Sequence, residues 1–352
     1  MKSEQHESTR RAFLRTGLGT AAAAAGVAAL PDSVLAQAAL PVLDFQTPAS
    51  TREGDMLYRT LGTTSAKVSL IGFGGAHIGG MQQEQATRLV RSAVDRGVTF
   101  MDNCWDYSNG QAEAKMGVAL GEGYRAKIFQ MTKFDGRTRT SANQQLEDSL
   151  GRLKTDHIDL WQLHEVIRDE DPDRFFAAGG AHEAVRDAIK AGKVRHFGIT
   201  GHKDPSFFIK FLEAAKKNDM KVESVQMPLN PLDAHYHSFA QQIIPIALKD
   251  GIGVLAMKVL AAGAIPRSGV VSGPECLRYA MTLPTSCVIT GLDTQERIDQ
   301  ALTLTKTFQP YSREEMASLM EKTKTAAADG ALEAFKTTPR FDGTARNPAW
   351  LG

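Results

Sequence analysis

Short apolar segments alternate with helical patterns eight times between residues 68 and 307, and this alternation constrains the fold more than any other feature. Strands that alternate with helices of this length indicate a parallel sheet. Eight repeats over about 240 residues favour an α/β fold, a closed (β/α)8 TIM barrel, over an open Rossmann-like sheet, which remains the alternative. The predicted strands are 68–72, 98–102, 127–132, 158–164, 194–200, 224–227, 253–257 and 287–290. The predicted helices are 84–96, 111–120, 142–153, 173–191, 206–217, 238–249, 274–281 and 294–307.

The first 38 residues have a different composition and predict an export signal. Arg10 and Arg11 precede an uncharged segment, 16–31, built mostly from Ala, Gly and Leu, and a small-x-small site ends at Ala38. This layout is typical of a secretory signal peptide, and the paired arginines are similar to a bacterial twin-arginine signal. The uncharged segment is shorter than the roughly 20 apolar residues that a membrane span needs. We therefore expect passage through the twin-arginine translocation machinery, cleavage after Ala38 and a periplasmic or otherwise exported protein.

The rest of the chain divides into a tether, a barrel domain and a tail. Residues 39–55 have the hydrophobic period of neither a helix nor a strand, and we expect a tether there. The barrel with an N-terminal β-hairpin is expected over 56–334. A tail that trails over the surface is expected over 335–352. No later segment predicts a membrane span. Lys and Arg total 41 against 40 Asp and Glu, so the chain lacks the basic excess of a nucleic-acid-binding protein.

The cysteines do not indicate a metal site. Cys104, Cys276 and Cys287 form no CxxC pair, which argues against a zinc or iron–sulfur centre built on cysteines. No metal ligands are therefore predicted.

The glycine cluster at 72–75 invites a comparison with dinucleotide-binding motifs. In the pattern G-x-G-x-x-G the third glycine would fall at His77, so the match is poor. A tight turn of the barrel is the better interpretation.

Four polar residues follow the ends of three consecutive predicted strands. Asp102 ends the second strand and Tyr107 follows five residues later, Lys133 ends the third strand, and His164 ends the fourth. Each alone has an ordinary structural explanation, such as a helix cap or a solvated charge. Because barrels carry their active sites at the carboxyl ends of their strands, we expect the four side chains to converge at one mouth.

The chemistry of these four groups suits carbonyl reduction. A phenol has a pKa near 10, and a nearby ammonium such as Lys133 is expected to lower it. Asp102 would keep Lys133 charged and oriented, and His164 could hydrogen-bond a carbonyl oxygen. This set can protonate that oxygen while hydride reaches the carbon, and the hydride has to come from a nicotinamide.

Over about residues 57–302 the sequence resembles the aldo-keto reductase family. The resemblance rests on F-x-D-x-x-x-x-Y at 100–107, D-L-x-x-x-H at 159–164 and G-I-T at 198–200. It implies a (β/α)8 barrel that reduces aldehydes or ketones with NADPH. The matching positions imply a catalytic tetrad of Asp102, Tyr107, Lys133 and His164, with Tyr107 as general acid.

The resemblance also implies cofactor-binding residues, with some departures from the family pattern. Thr200 and Gln226 stand where the family holds the nicotinamide carboxamide, although Gly201 replaces an expected asparagine. Met257 occupies the place of a tyrosine that stacks on the nicotinamide. Lys258 replaces a small hydroxyl residue and could pair with the pyrophosphate or form a structural ion pair, and Leu260 completes that segment.

The segment 289–297 resembles the family's adenosine-phosphate loop. Arg297 fits the residue that binds the 2′-phosphate of NADPH, while Gly291 stands where a lysine is frequent and Asp293 adds an opposing charge. NADPH is the expected cofactor and NADH the alternative.

Substrate contacts are expected from His77 and Trp105, which follow strand ends, and a buried packing role is the alternative for Trp105. Trp161 has the opposite strand parity to His164 and is expected to pack against helices. The substrate is a small carbonyl compound of unidentified structure.

Two other classes of protein remain open. One is a slow-turnover cofactor-binding sensor, suggested by the shortage of reduced nicotinamide outside the cytoplasm. The other is a Schiff-base lyase that uses Lys133, against which Tyr107 and the 289–297 loop argue.

Overall fold

The computed structural model describes residues 43–352, in which eight parallel strands form a closed barrel. Each barrel strand pairs with the next one along the chain, and the last pairs with the first, which confirms the (β/α)8 prediction. The strands are β1 Thr51–Glu53, β2 Met56–Thr60, β3 Lys67–Ser69, β4 Ile71–Gly74, β5 Phe100–Asp102, β6 Phe129–Phe134, β7 Ile158–Leu163, β8 Val194–Thr200, β9 Ser224–Pro228, β10 Gly253–Met257 and β11 Cys287–Thr290. The barrel itself comprises β4 to β11. The predicted leader, 1–38, lies outside the described residues.

A small antiparallel sheet, β1–β2–β3, precedes the barrel and corrects two predictions. The predicted tether contains strand β1, which pairs with β2. The predicted strand 68–72 is divided at Leu70, because β3 pairs antiparallel with β2 while β4 pairs parallel with β5 and β11. Leu61, directly after β2, and Val68 on β3 join the apolar cluster of the barrel interior, so this hairpin closes one end of the barrel.

Fourteen α-helices lie in the described part of the chain, besides short 3-10 turns. They are α1 Gln83–Asp95, α2 Gln111–Ala119, α3 Arg139–Leu153, α4 Asp171–Phe176, α5 Ala181–Lys190, α6 Pro205–Lys217, α7 Phe239–Gln242, α8 Ile244–Asp250, α9 Ala264–Ser268, α10 Gly273–Thr282, α11 Gln295–Lys306, α12 Arg313–Ala327, α13 Ala334–Thr337 and α14 Gly343–Arg346. The predicted helix 173–191 was wrong in its continuity, since Gly179, with φ of +72°, interrupts it. Residues 238–249 likewise form two short helices, α7 and α8. None of the described helices is long and apolar enough to cross a membrane.

The main apolar core lies between the strands and the surrounding helices. Trp161 on β7 is fully buried there and stacks on Phe134, with ring centroids 3.9 Å apart. Its predicted packing is confirmed, because side chains alternate between the two faces of a strand. The neighbouring Gln162 and Leu160 consequently point into the barrel.

The predicted surface tail, 335–352, is instead docked on the barrel. It contains α13 and α14 and is held by buried polar contacts. Lys336 Nζ lies 2.7 Å from Asp233 Oδ1 and 3.0 Å from Glu333 Oε2, with all three side chains buried. The prediction failed here because the docking depends on partners about 100 or more residues away rather than on local periodicity.

Candidate active site at the barrel mouth

A cavity of about 800 Å³ opens at the carboxyl ends of the strands, between the barrel and the tail. Strand ends and the loops after them contribute most of its lining, and the tail contributes Arg340, Phe341, Gly343 and Arg346. A largely preformed cavity with several convergent polar groups is the expected form of a small-molecule site.

Lys133 links three of the predicted catalytic groups. Its Nζ lies 2.7 Å from Asp102 Oδ1, 2.8 Å from the carbonyl oxygen of Asn103 and 3.3 Å from the Tyr107 hydroxyl. Lys133 is 1% exposed, so these contacts compensate for its removal from water. Its position follows from β6 pairing with β5, which places the lysine beside the end of the strand that carries Asp102.

Gly75 permits the close approach of two strand ends at this point. A Cβ at Gly75 would lie 2.4 Å from the carbonyl oxygen of Asp102, closer than van der Waals contact allows. The glycine cluster therefore serves barrel packing, in line with the sequence interpretation, although Gly72 and Gly74 lie within β4 rather than after it.

Tyr107 reaches the lysine from the turn between β5 and α2. Burial, followed by the charge of Asp102, raises the pKa of the Tyr107 phenol well above its usual range. This upward direction differs from the lowering of the pKa expected from Lys133, because burial of the phenol and the neighbouring carboxylate both disfavour the phenolate. The hydroxyl is consequently protonated at neutral pH, which is the form that a proton donor needs.

His164, immediately after β7, completes the group. Its ring packs edge-on to that of Tyr107, with centroids 6.1 Å apart, and its Nδ1 lies 2.9 Å from Asp135 Oδ1. Burial lowers the pKa of His164, but the charges of Asp135 and Asp106 outweigh it and the net shift is upward. The fully buried Arg137 donates to the backbone oxygens of both Asp135 and His164, at 2.8 and 2.9 Å, and so fixes the two segments together.

Thr200, Gln226 and Met257, predicted to contact the nicotinamide, lie on the three neighbouring strands β8, β9 and β10 and line the cavity. Gln226 Nε2 donates to Asp102 Oδ2 at 2.5 Å, while its buried Oε1 has no hydrogen-bond partner among the described residues. At Gly201 a Cβ would lie 2.4 Å from the carbonyl oxygen of Val166. An asparagine cannot be accommodated there, which explains this departure from the family pattern.

Lys258 and Leu260 also line the cavity, as do Gly291 and Arg297 from the 289–297 loop. Lys258 Nζ lies over the rings of Phe335 and Phe341, 5.5 and 4.8 Å from their centroids, and forms no ion pair within residues 43–352. Burial lowers the pKa of Lys258 to about 8. The structural ion pair considered from the sequence is therefore not present, and the ammonium faces the cavity.

Asp293 lies beside Arg297, whereas His77 and Trp105 do not occupy the substrate positions expected for them. Asp293 forms an ion pair with Arg297 but does not itself line the cavity. His77 lies against the same loop, with its Nδ1 3.8 Å from Asp293 Oδ2. His77 thus lines the cavity near the predicted phosphate loop rather than near Tyr107. Trp105 is not part of the lining, because its Nε1 donates to Asp148 at 3.0 Å and its ring packs on Trp350.

The sequence analysis missed Glu165, His202 and the tail. Glu165 accepts hydrogen bonds from Gly343 N at 2.7 Å and Thr344 N at 2.8 Å, while His202 Nε2 lies 3.0 Å from Asp342 Oδ1. These contacts place tail residues over the cavity. The aromatic residues of 335–352 were the available signal, since a loose polar tail has no need for them.

Comparison with known proteins gives a consistent result. The family model described as the aldo/keto reductase family matches residues 70–274, more than half of the chain. The aldo-keto reductase AFTS1 of Alternaria alternata is 28% identical over 260 residues, covering 62% of this chain and 69% of that protein. The aldo-keto reductase YhdN of Bacillus subtilis is 26% identical over 226 residues, covering 60% and 64%.

Solved structures show the same fold. The aldo-keto reductase AKR11C1 from Bacillus halodurans, in its holo form, aligns with a TM-score of 0.64 at 22% identity, covering 79% of this chain and 99% of that chain. An aldo/keto reductase from Klebsiella pneumoniae, solved with NADP and acetate, aligns with a TM-score of 0.61 at 20% identity, covering 75% and 94%.

Proposed function

This chain belongs to the aldo/keto reductase family, and from that premise we propose that it is an NAD(P)H-dependent oxidoreductase that reduces aldehyde or ketone carbonyls to alcohols. The observation that carries the proposal is the contact of Lys133 Nζ with both Asp102 and the Tyr107 hydroxyl at the cavity. Such an arrangement suits delivery of a proton to an oxygen that gains negative charge.

A nicotinamide cofactor fits the groups that line the cavity, and the family and its NADP-bound structural neighbour support its use. The free, buried Oε1 of Gln226 can accept from a carboxamide, with Thr200 and Met257 beside it. Lys258 presents an ammonium without a carboxylate partner among the described residues, as a pyrophosphate requires, and Arg297 would contact the adenosine end. When bound, the cofactor supplies the hydride.

In this proposal Tyr107 donates its hydroxyl proton to the carbonyl oxygen. Lys133, 3.3 Å from that hydroxyl, stabilises the phenolate left behind, and Asp102 holds the ammonium in place. His164 lines the same cavity and orients the carbonyl by a hydrogen bond to its oxygen. All three protons of the Lys133 ammonium are engaged, so the lysine is a poor nucleophile and a Schiff-base lyase is disfavoured.

The test is Tyr107→Phe, with Tyr124→Phe as a matched control because Tyr124 lies at the surface and bonds Asp95. We expect Tyr107→Phe to retain NADPH binding and lose roughly 10²–10⁴-fold in the single-turnover rate with a simple aldehyde. A rate within threefold of wild type would exclude Tyr107 as the acid. If the wild-type protein binds NADPH without oxidising it, the sensor alternative is favoured instead.

We further propose that the protein is exported by the twin-arginine route with its cofactor bound. The support is the sequence of residues 1–38 alone. Mass spectrometry of protein isolated from the periplasm would report both the mature N-terminus and the retained cofactor. An uncleaved, cytoplasmic protein would overturn this proposal without affecting that of carbonyl reduction.

A further inference from the structure

Four side chains of metal-binding type meet beside the cavity. Cys104, Asp106, Asp135 and His164 each place one donor atom within 4.8 Å of the others. His164 Nδ1 is the common centre, 2.9 Å from Asp135 Oδ1, 3.4 Å from Cys104 Sγ and 3.9 Å from Asp106 Oδ1.

These separations are close to the edges of a tetrahedral coordination shell. Metal–ligand bonds of about 2.0–2.3 Å give edges of about 3.3–3.8 Å between donor atoms. The distances from His164 Nδ1 to Cys104 Sγ and Asp106 Oδ1 lie at or near this range. The distance to Asp135 has to lengthen by about 0.4 Å for both atoms to bind one ion.

Apart from the imidazole of His164, the two carboxylates of the cluster have little compensation from the described residues. Asp135 is 0% exposed, and its Oδ2 has no hydrogen-bond partner among residues 43–352. Asp106 Oδ1, which faces His164, is also buried and unpartnered. Neither carboxylate forms an ion pair with a lysine or arginine in the described part of the chain. Buried carboxylate oxygens without a hydrogen-bond partner are favourable ligands for a cation, because binding one offsets the cost of their burial.

We propose that Cys104, Asp106, Asp135 and His164 form a site for one divalent transition-metal ion, with Zn²⁺ the best match to the donor set. A thiolate, an imidazole and two carboxylates are ligands that zinc accepts, whereas Mg²⁺ and Ca²⁺ prefer oxygen alone. The sequence did not indicate this site because the ligands come from three separate segments and include only one cysteine.

The surrounding structure supports the cluster and provides access to it. Gln145 Oε1 accepts from the backbone N–H groups of both Asp135 and Gly136 at 2.8 Å, and Arg137 ties the Asp135 and His164 segments together. Such outer contacts are what orient metal ligands. Asp106 and His164 line the cavity, whereas Cys104 and Asp135 lie behind it, so an ion can reach the site from the mouth.

Occupation of this site would set the tautomer of His164. An ion at Nδ1 places the imidazole proton on Nε2, the nitrogen that is not hydrogen-bonded to any described residue. His164 would then be a hydrogen-bond donor toward the cavity without carrying a full positive charge. The proposed site therefore goes beyond carbonyl reduction and does not depend on it.

The experiment titrates Co²⁺ into untagged, chelator-treated full-length protein and records its absorption spectrum, because thiolate-bound tetrahedral Co²⁺ has charge-transfer and intense visible bands. We expect one Co²⁺ per chain, displaced by Zn²⁺. Cys104→Ser should abolish the charge-transfer band and weaken Co²⁺ binding at least about tenfold. Cys276→Ser is the matched control, since Cys276 is equally buried but remote from the cluster in α10, and it should leave both unchanged.

Asp135→Asn serves as a second variant should Cys104→Ser fold poorly. It keeps the thiol and the side-chain volume but removes the charged ligand, so the affinity for Co²⁺ should fall while NADPH binding shows that the fold is intact. A wild-type protein without a thiolate charge-transfer band would overturn the proposal. So would a band that survives in Cys104→Ser or disappears in Cys276→Ser. In those cases the cluster is only a hydrogen-bonded His164–Asp135 pair.

Discussion

Replacing Glu165 by glutamine should release the tail from the barrel mouth. The Glu165 carboxylate is 2% exposed and accepts three hydrogen bonds, from Gly343 N, Thr344 N and Thr344 Oγ1, at 2.7, 2.8 and 2.5 Å. A hydrogen bond to a charged group contributes about 1.5–3 kcal/mol. Glutamine keeps one acceptor and turns an N–H group toward the donors that remain.

If one or two such bonds are lost, the free energy needed to open the tail should fall by about 3 kcal/mol. The other contacts between tail and barrel stay in place. Since about 1.4 kcal/mol corresponds to a factor of ten, amide exchange should accelerate by roughly 100-fold. Hydrogen–deuterium exchange with mass spectrometry should show this in peptides covering 333–352 and not in α3. Glu170→Gln, at an exposed position nearby, is the control. Tail exchange within threefold of wild type in a folded Glu165→Gln protein would refute the reasoning.

Three further predictions concern cofactor binding and stability. Because the pKa of Lys258 is lowered to about 8, its ammonium loses its charge as the pH rises through that value. The affinity for NADPH, measured by calorimetry, should therefore fall from about pH 7 to about pH 10, and Lys258→Met should remove this pH dependence. Arg297→Ala should weaken the binding of NADPH by about 1.5–3 kcal/mol and that of NADH much less. Asp293→Asn, which frees Arg297 from its ion pair, should strengthen NADPH binding. Both are measured by cofactor-fluorescence titration, and equal effects on the two cofactors would contradict a 2′-phosphate contact. Arg59, 2% exposed, donates to the Thr285 carbonyl oxygen at 2.7 Å, so Arg59→Met should lower the free energy of unfolding in urea by about 2–4 kcal/mol, and a loss below 0.5 would show that its bonds are dispensable.

The positions of the catalytic candidates could be predicted from the sequence because strand geometry is local. Side chains alternate along a strand, and parallel strands end at one mouth, so Asp102, Lys133 and His164 had to meet if the eight strands formed a barrel. The structure brings these three and Tyr107 together. The protonation behaviour of Tyr107 could not be predicted, because it depends on how deeply the phenol is buried.

The tail could not be predicted because its contacts are remote in sequence. Glu165 and Gly343 are 178 positions apart, and α13 and α14 have only four residues each, too few for a helical period to be visible. The reason for Gly201 could not be predicted either, because the carbonyl oxygen of Val166, which occupies the space that a side chain would need, is visible only in the structure.

The small sheet that places Leu61 and Val68 in the barrel interior has a kinetic consequence. With that end filled by apolar side chains, a molecule bound in the cavity described above would enter and leave at the opposite end, which the tail partly covers. When two molecules share one passage, the one that binds deeper in the cavity has to enter first and leave last. In the proposed reductase, tight packing of the segment from Phe341 to Arg346 at this end would slow exchange of bound molecules, so product release rather than chemistry would limit turnover.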